Sequence, residues 1–265
     1  MEILIYFSIF LFGLAVGSFL NCIIYRLETD QSFLKGRSFC PHCRHTLSWQ
    51  DLIPLLSFFI LRGKCRYCQR PISFQYPLVE LATGLVFVLI FNFQPIFSLS
   101  QFVSTLYLFI ISCLLIIIFV YDLKHYIIPD KVVYPAISIA LIYSLQLLIS
   151  KQFPTFNYLI LSAIGAAAFF LAIVLISRGK WMGVGDIKLA FLMGLVLGWP
   201  NIAIALFSAF LIGAIIGIVL IILAKKTFKS EVPFGPFLVT GTFLALFWGQ
   251  EIINFYVQSF YLGAF

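Results

Sequence analysis

The chain has 265 residues, 62% of them hydrophobic and only 10% charged, with a mean hydropathy of +1.08. Soluble domains carry about 25% charged residues, so a globular aqueous fold is excluded. The net charge of +7 would suit a nucleic-acid surface, but its placement argues otherwise. Eight Lys/Arg lie from Arg26 to Arg70, followed by Lys124 and Lys131, then Arg178, Lys180 and Lys188, then Lys225, Lys226 and Lys229. These groups fall on one side of the alternating apolar runs, and Lys151 alone falls on the other. Such asymmetry is the positive-inside bias. It predicts an outside N-terminus and a cytoplasmic 26–76 loop, with no nucleic-acid partner.

A helix needs about 20 apolar residues to cross the hydrocarbon. Runs at 3–24, 77–95, 102–121, 131–149, 156–177, 186–199, 201–223 and 233–250 predict about eight transmembrane helices. The expected fold is an all-α polytopic membrane protein with one small zinc-binding cytoplasmic loop domain. The first run follows Glu2 rather than a basic segment and reads as an N-out anchor, not a cleaved leader. The sixth is short, reaching only about 21 Å. It either begins within the membrane or tilts with its neighbour across Trp199-Pro200. No repeat of about 20–50 residues is visible. The chain divides into an anchor (1–25), the soluble loop domain (26–76) and a seven-helix membrane domain (77–265).

Within the loop, Cys40-Pro-His-Cys43 and Cys65-Arg-Tyr-Cys68 form C-x2-C-x21-C-x2-C. Two such turns point four thiolates at one tetrahedral centre, and zinc is the expected occupant. A pair of disulfides is disfavoured in a cytoplasmic loop, where thiols stay reduced. Four cysteine ligands close the coordination sphere, so the site is structural and performs no hydrolysis. His42 and His45 are surplus to it.

Of the ten acidic residues, Glu80, Asp122, Asp130 and Asp186 fall at or within helix ends. An ionisable group at membrane depth costs about 2.5–3.5 kcal/mol even on the milder insertion scale, which marks these four for function. Asp122 closes an apolar run, and Asp186 follows Gly183-Val184-Gly185. Both approach the membrane from the cytoplasmic side. Two adjacent carboxylates cannot both ionise cheaply, so they share a proton, the arrangement that lets one activate a water while the other donates to a carbonyl. Gly183 and Gly185 offer backbone geometry closed to other residues and room for a substrate strand. The plainer alternative for Asp186 is a helix N-cap. A zinc protease lacks its His-Glu-x2-His, and no Gly-x-Ser-x-Gly is present.

Tyr121-Asp122 with Gly183-Val184-Gly185-Asp186 resembles the Gly-x-Gly-Asp membrane aspartyl proteases, and within them the type IV prepilin peptidases. The likeness includes Gly17-Ser18-Phe19-Leu20-Asn21, Arg26, the four cysteines, Pro77-Leu78-Val79-Glu80, Ile128-Pro129-Asp130, Lys188 and Pro233-Phe234-Gly235-Pro236. The resemblance implies cleavage of the basic leader of type IV prepilins or pseudopilins at the cytoplasmic face of a bacterial inner membrane. It further implies S-adenosylmethionine-dependent methylation of the new N-terminus. Glu28 stands where the family often has proline.

Glu80 reads either as a first-turn carboxylate favoured by the helix dipole or as recognition of a methyl donor or substrate amine. Asp130, after Pro129, reads as an N-cap. Lys188 fits the charge bias or tunes the aspartates, while Pro233, Gly235 and Pro236 start a helix or face substrate. The competing class is a proton-coupled transporter using Asp122 and Asp186 as a relay. Oligomeric state is not encoded in any of these features.

Overall fold

The structure, a computed structural model, describes residues 2–29, 31–32, 36–96, 98–150, 153–223 and 232–262. Lys35, Lys151, Lys225, Lys226 and Lys229, used above for sidedness, lie outside the described residues.

The described residues are helical, with two isolated β-bridges. In chain order the helices are α1 (Glu2–Glu28), α2 (Leu56–Ile60), α3 (Gln75–Phe93), α4 (Leu99–His125) and α5 (Asp130–Ile149). They continue as α6 (Phe153–Ser177), α7 (Val184–Leu197), α8 (Asn201–Ile222) and α9 (Gly235–Leu262). Among the described residues, seven are long and apolar enough to cross a membrane. The missing eighth is α7, whose 14 residues reach about 21 Å against a hydrocarbon core of about 30 Å. It stops at Gly198, which has φ +64°, ahead of a cis Trp199-Pro200 bond.

The chain forms two compact units, Met1–Ile117 and Ile118–Phe265, with α4 running through both. In the first, α1 and α3 cross on glycine. A Cβ on Gly13 would stand 2.7 Å from Gly84 Cα, and one on Gly17 would stand 2.7 Å from Glu80 Cα. Lipid offers no hydrophobic drive between helices, so close backbone approach supplies the association. The second unit repeats the device. Gly194 of α7 lies against the backbone of Ser162 and Ala163 in α6, and Gly241 of α9 lies against Ala205 and Ala209 in α8. Helices α5 and α9 also pack on α7, so this short helix is covered by longer neighbours. Leu189, Ala190, Leu192 and Met193 are fully buried.

Candidate active site and cysteine centre

Asp122 stands in the last turn of α4 and Asp186 at the third position of α7, only 4% and 8% exposed. They lie within electrostatic reach of each other. Each is held through one oxygen by a glycine amide: Gly235 N donates to Asp122 Oδ2 at 3.0 Å, and Gly183 N to Asp186 Oδ2 at 3.2 Å. Among the described residues, no donor reaches the Oδ1 atom of either. A pair of buried carboxylates, each anchored at one oxygen and open at the other, suits proton exchange with a water between them.

Several expectations change here. Asp186 is not the N-cap. Gly183 is, and the aspartate folds back onto its amide as the acidic half of a capping box. The glycines are not there for unusual dihedrals, since Gly183 has an ordinary extended φ of −83°. Instead Gly185 allows close approach, because a Cβ there would lie 3.1 Å from Ile128 Cβ. Gly183 keeps space open: apart from its own turn, a Cβ there would meet nothing within 4 Å.

Asp130 is likewise not an N-cap. Pro129 takes that position, and Asp130 Oδ1 instead accepts Lys188 Nζ at 2.6 Å. Lys188 also stands 4.8 Å over the Tyr134 ring. It is therefore more than a topology charge, since it ties the second turn of α7 to the first turn of α5.

The Pro233–Pro236 segment supplies the residue that sequence reasoning placed least well. Gly235 is buried, and a Cβ on it would lie 2.5 Å from Asp122 Oδ2. Phe234 fixes this turn by packing on Phe210 at 5.0 Å and Phe237 at 6.1 Å. Pro236 is buried behind it. The sequence offered a motif here but no sign that its amide would serve Asp122.

In the first unit, the Sγ atoms of Cys40, Cys43, Cys65 and Cys68 all lie within 4.8 Å of one another, and Cys40 Sγ is 3.9 Å from Cys68 Sγ. Thiolates around zinc at about 2.3 Å stand roughly 3.8 Å apart, so the set fits a tetrahedral ion. All six cysteines are free, against the disulfide alternative. The two turns are copies. Cys40 N donates to His45 O and Cys65 N to Arg70 O, at 3.0 and 2.9 Å. Arg44 and Gln69, four residues after each cysteine, both have φ +57°, and the bridges Phe39–Thr46 and Lys64–Pro71 close the pair. The repeat missed in the sequence is this short one, carried by backbone shape rather than residue identity.

Burial opposes the Cys40 thiolate, but the Cys43 and His42 amides outweigh it and bring Cys40 down to about 7. The Arg70 amide favours the Cys68 thiolate, yet burial and the neighbouring sulfurs push Cys68 up to about 11. Four thiols this close do not all ionise until a cation offsets their charge.

Glu80 lies beyond the first turn of α3, which begins at Gln75, so the helix-dipole reading gives way. It is buried, accepts Leu55 N at 2.8 Å through Oε2, and interacts with the Ser18 side chain.

The family model described as Bacterial Peptidase A24 N-terminal domain matches residues 11–93, and that of the Type IV leader peptidase family matches residues 108–218. Relatives named prepilin leader peptidase/N-methyltransferase match nearly end to end. That of Aeromonas hydrophila is 34% identical over 97% of this chain and 95% of its own. The Legionella pneumophila relative is 35% identical over 95% and 94%, and the Bacillus subtilis (strain 168) relative 34% identical over 94% and 97%.

The chain belongs to the type IV leader peptidase family. No solved structure matches it. Both aspartates of the peptidase fall inside the second match, and all four cysteines inside the first. The peptidase is an integral membrane enzyme, and the transporter alternative is left without support.

Proposed function

We propose that this leader peptidase cleaves the basic leader of type IV prepilins or pseudopilins, with Asp122 and Asp186 as the catalytic pair. The observation that carries this reading is the pair of buried carboxylates, each held by one glycine amide and open at its other oxygen. One carboxylate, ionised, removes a proton from water as its oxygen attacks the scissile carbonyl carbon. The other, protonated, donates to the carbonyl oxygen. Collapse of the gem-diol breaks the C–N bond, and the departing amine takes a proton from the pair. The roles exchange through the cycle, so neither residue is fixed as acid or base. Gly183 leaves room for the substrate strand, and Pro233, Gly235, Pro236 and Lys188 support the pair from behind.

The charge asymmetry supports an inner-membrane enzyme with its site facing the cytoplasm, where a basic leader would lie. In this reading, 77–265 is the protease portion and 26–76 the methyltransferase-associated portion. Zinc is the proposed ion at the four cysteines, where it would pin the two turns together.

The relatives' shared name supports N-methylation of the new N-terminus, with S-adenosylmethionine as the donor. Glu80, the residue expected to recognise the methyl donor or the substrate amine, is occupied by the Leu55 amide and Ser18. No step is therefore assigned through it.

The test is cleavage of a full-length prepilin by Asp122→Asn and Asp186→Asn in membranes. Loss of processing by both, with normal protein levels, is expected. Retained processing by either removes the assignment. Mass spectrometry of the mature N-terminus separately reads methylation.

A further inference from the structure

Residues 52–61 read Leu-Ile-Pro-Leu-Leu-Ser-Phe-Phe-Ile-Leu, an uncharged run inside the loop assigned above to water. Apolar runs of about 10–14 residues are too short to span a bilayer and are typical of re-entrant or interfacial segments. Here the run forms the short α2, reached from a 3-10 turn at Trp49–Leu52. Phe58 is turned inward, against Gly63 and 5.4 Å from the Phe74 ring. On the other face Leu56, Phe59 and Ile60 are 58%, 70% and 69% exposed. Three large apolar side chains side by side in water carry a solvation cost that nothing in the loop offsets.

Their height resolves the difficulty. The segment faces α1 across a cavity of about 270 Å³ that Pro54, Leu55, Leu56 and Phe59 share with Leu11 and Leu14. Leu14 precedes Arg26, the basic end of α1, by 12 residues of helix, or about 18 Å. Subtracting about 7 Å for the headgroup region still leaves the contact on the order of 10 Å inside the hydrocarbon. The α3 crossing gives the same register, since Gly17 fixes the height of Glu80, and Glu80 Oε2 accepts the Leu55 amide at 2.8 Å.

Non-helical backbone at that depth is tolerated only where its polar groups find protein partners. Leu55 has φ +59° and precedes the first turn of α2, so its amide needs such a partner. A buried glutamate on a membrane helix, otherwise costly, meets that need. The chain then leaves through Arg62 and Lys64, residue types that favour the headgroup region.

We propose that residues 52–61 form a re-entrant membrane element whose outer face, Leu56, Phe59 and Ile60, lies among lipid acyl chains, anchored by Glu80 at the Leu55 amide. The occupant of this face is bilayer hydrocarbon, and the proposal is independent of the protease assignment.

The full chain, reconstituted in phosphatidylethanolamine–phosphatidylglycerol vesicles, carries photoreactive benzoylphenylalanine at position 56 or 59. Position 19, on the exposed face of α1, and position 67, in the second cysteine turn, serve as references. Acyl-chain adducts are expected at 56 and 59 as at 19, with little or none at 67. Adducts no more frequent than at 67 overturn the proposal, and so do chain-to-chain cross-links replacing the lipid adducts. On unmodified protein, hydroxyl radicals generated in the aqueous phase should oxidise Tyr67 and spare Phe59, and equal oxidation of the two overturns it as well. Glu80→Ala should lower the lipid adducts at 59 while Glu80→Gln, which keeps an acceptor, preserves them. An unchanged yield in Glu80→Ala removes the anchoring role.

Discussion

Gly235 and Asp122 touch in a way that permits no side chain: the glycine amide donates to Oδ2 at 3.0 Å, and a Cβ would stand 2.5 Å from that same oxygen. The helix that starts at Gly235 therefore sets the position of a carboxylate on α4. Positioning of this kind is sensitive to displacements of about 1 Å, which cost about a hundredfold in rate.

Gly235→Ala is accordingly expected to lower kcat/KM for prepilin cleavage by about a hundredfold while the protein still accumulates in membranes. Gly217→Ala, on α8 with nothing within 4 Å of its new Cβ, should cleave normally. Near-normal cleavage by Gly235→Ala in a kinetic assay would contradict the contact.

Asp122→Asn and Asp186→Asn should each reduce turnover by about 10²–10⁴-fold or more. On the proposal that the two carboxylates act as a unit, the double variant should be little worse than either single one. Multiplicative losses in single-turnover assays would mean that the residues act separately.

Lys188 and Asp130 meet at 2.6 Å, but Asp130 is 59% exposed. Solvent screening therefore limits the pair to roughly 1 kcal/mol or less. Lys188→Met and Asp130→Asn should each shift Tm slightly, more at low salt than at high salt. The exchanged pair, Asp130→Lys with Lys188→Asp, should recover part of the loss. A large salt-independent drop in Tm would point to packing instead.

Asp51 links the second cysteine turn to the 3-10 turn that precedes it, through Arg66 and Tyr67 on one side and Ser48 on the other. Partial burial raises its carboxyl, but hydrogen bonds from Arg66 at 2.8 Å, Ser48 and Tyr67 outweigh this and hold it below the usual carboxylate range. A depressed folded value gives stability that is fully present above the unfolded pKa of about 3.9. It is lost as pH falls through the folded value. Hydrogen exchange at the Ser48 amide, which donates to Asp51 Oδ2 at 3.1 Å, should accelerate only below that range. Asp51→Asn should exchange fast at neutral pH as well. Acceleration of the wild-type amide between pH 5 and 7 would count against this account.

On the proposed zinc occupancy, metal analysis of purified protein should read about one ion per chain, falling to none in Cys40→Ser.

The helices were legible because long apolar runs in a membrane protein have little other fate. Asp122 and Asp186 were legible because charge at the end of such a run is costly and rare. What the sequence hid were contacts across the fold. Nothing near Asp130 points to Lys188, and nothing in Pro233–Pro236 names Asp122. Glu80 was placed by counting from Pro77, but α3 starts earlier, at Gln75. The loop at 26–76 was read as wholly aqueous because its charges and cysteines dominate the average. The ten-residue apolar stretch inside it is too short to register as a span.

The duplicated cysteine turns have one more consequence. Each keeps its own hydrogen bonds and its own bridge, so each is a two-pronged claw assembled before any ion arrives. An ion bound by one claw would find the other already beside it, since His45 of the first packs on Tyr67 of the second with ring centroids 3.7 Å apart. Loss of the ion would therefore leave both claws shaped and still in contact, with thiols in place of charge-balanced thiolates. The chain between the claws is held independently of the ion, through Asp51 on Arg66 and the Leu55 amide on Glu80.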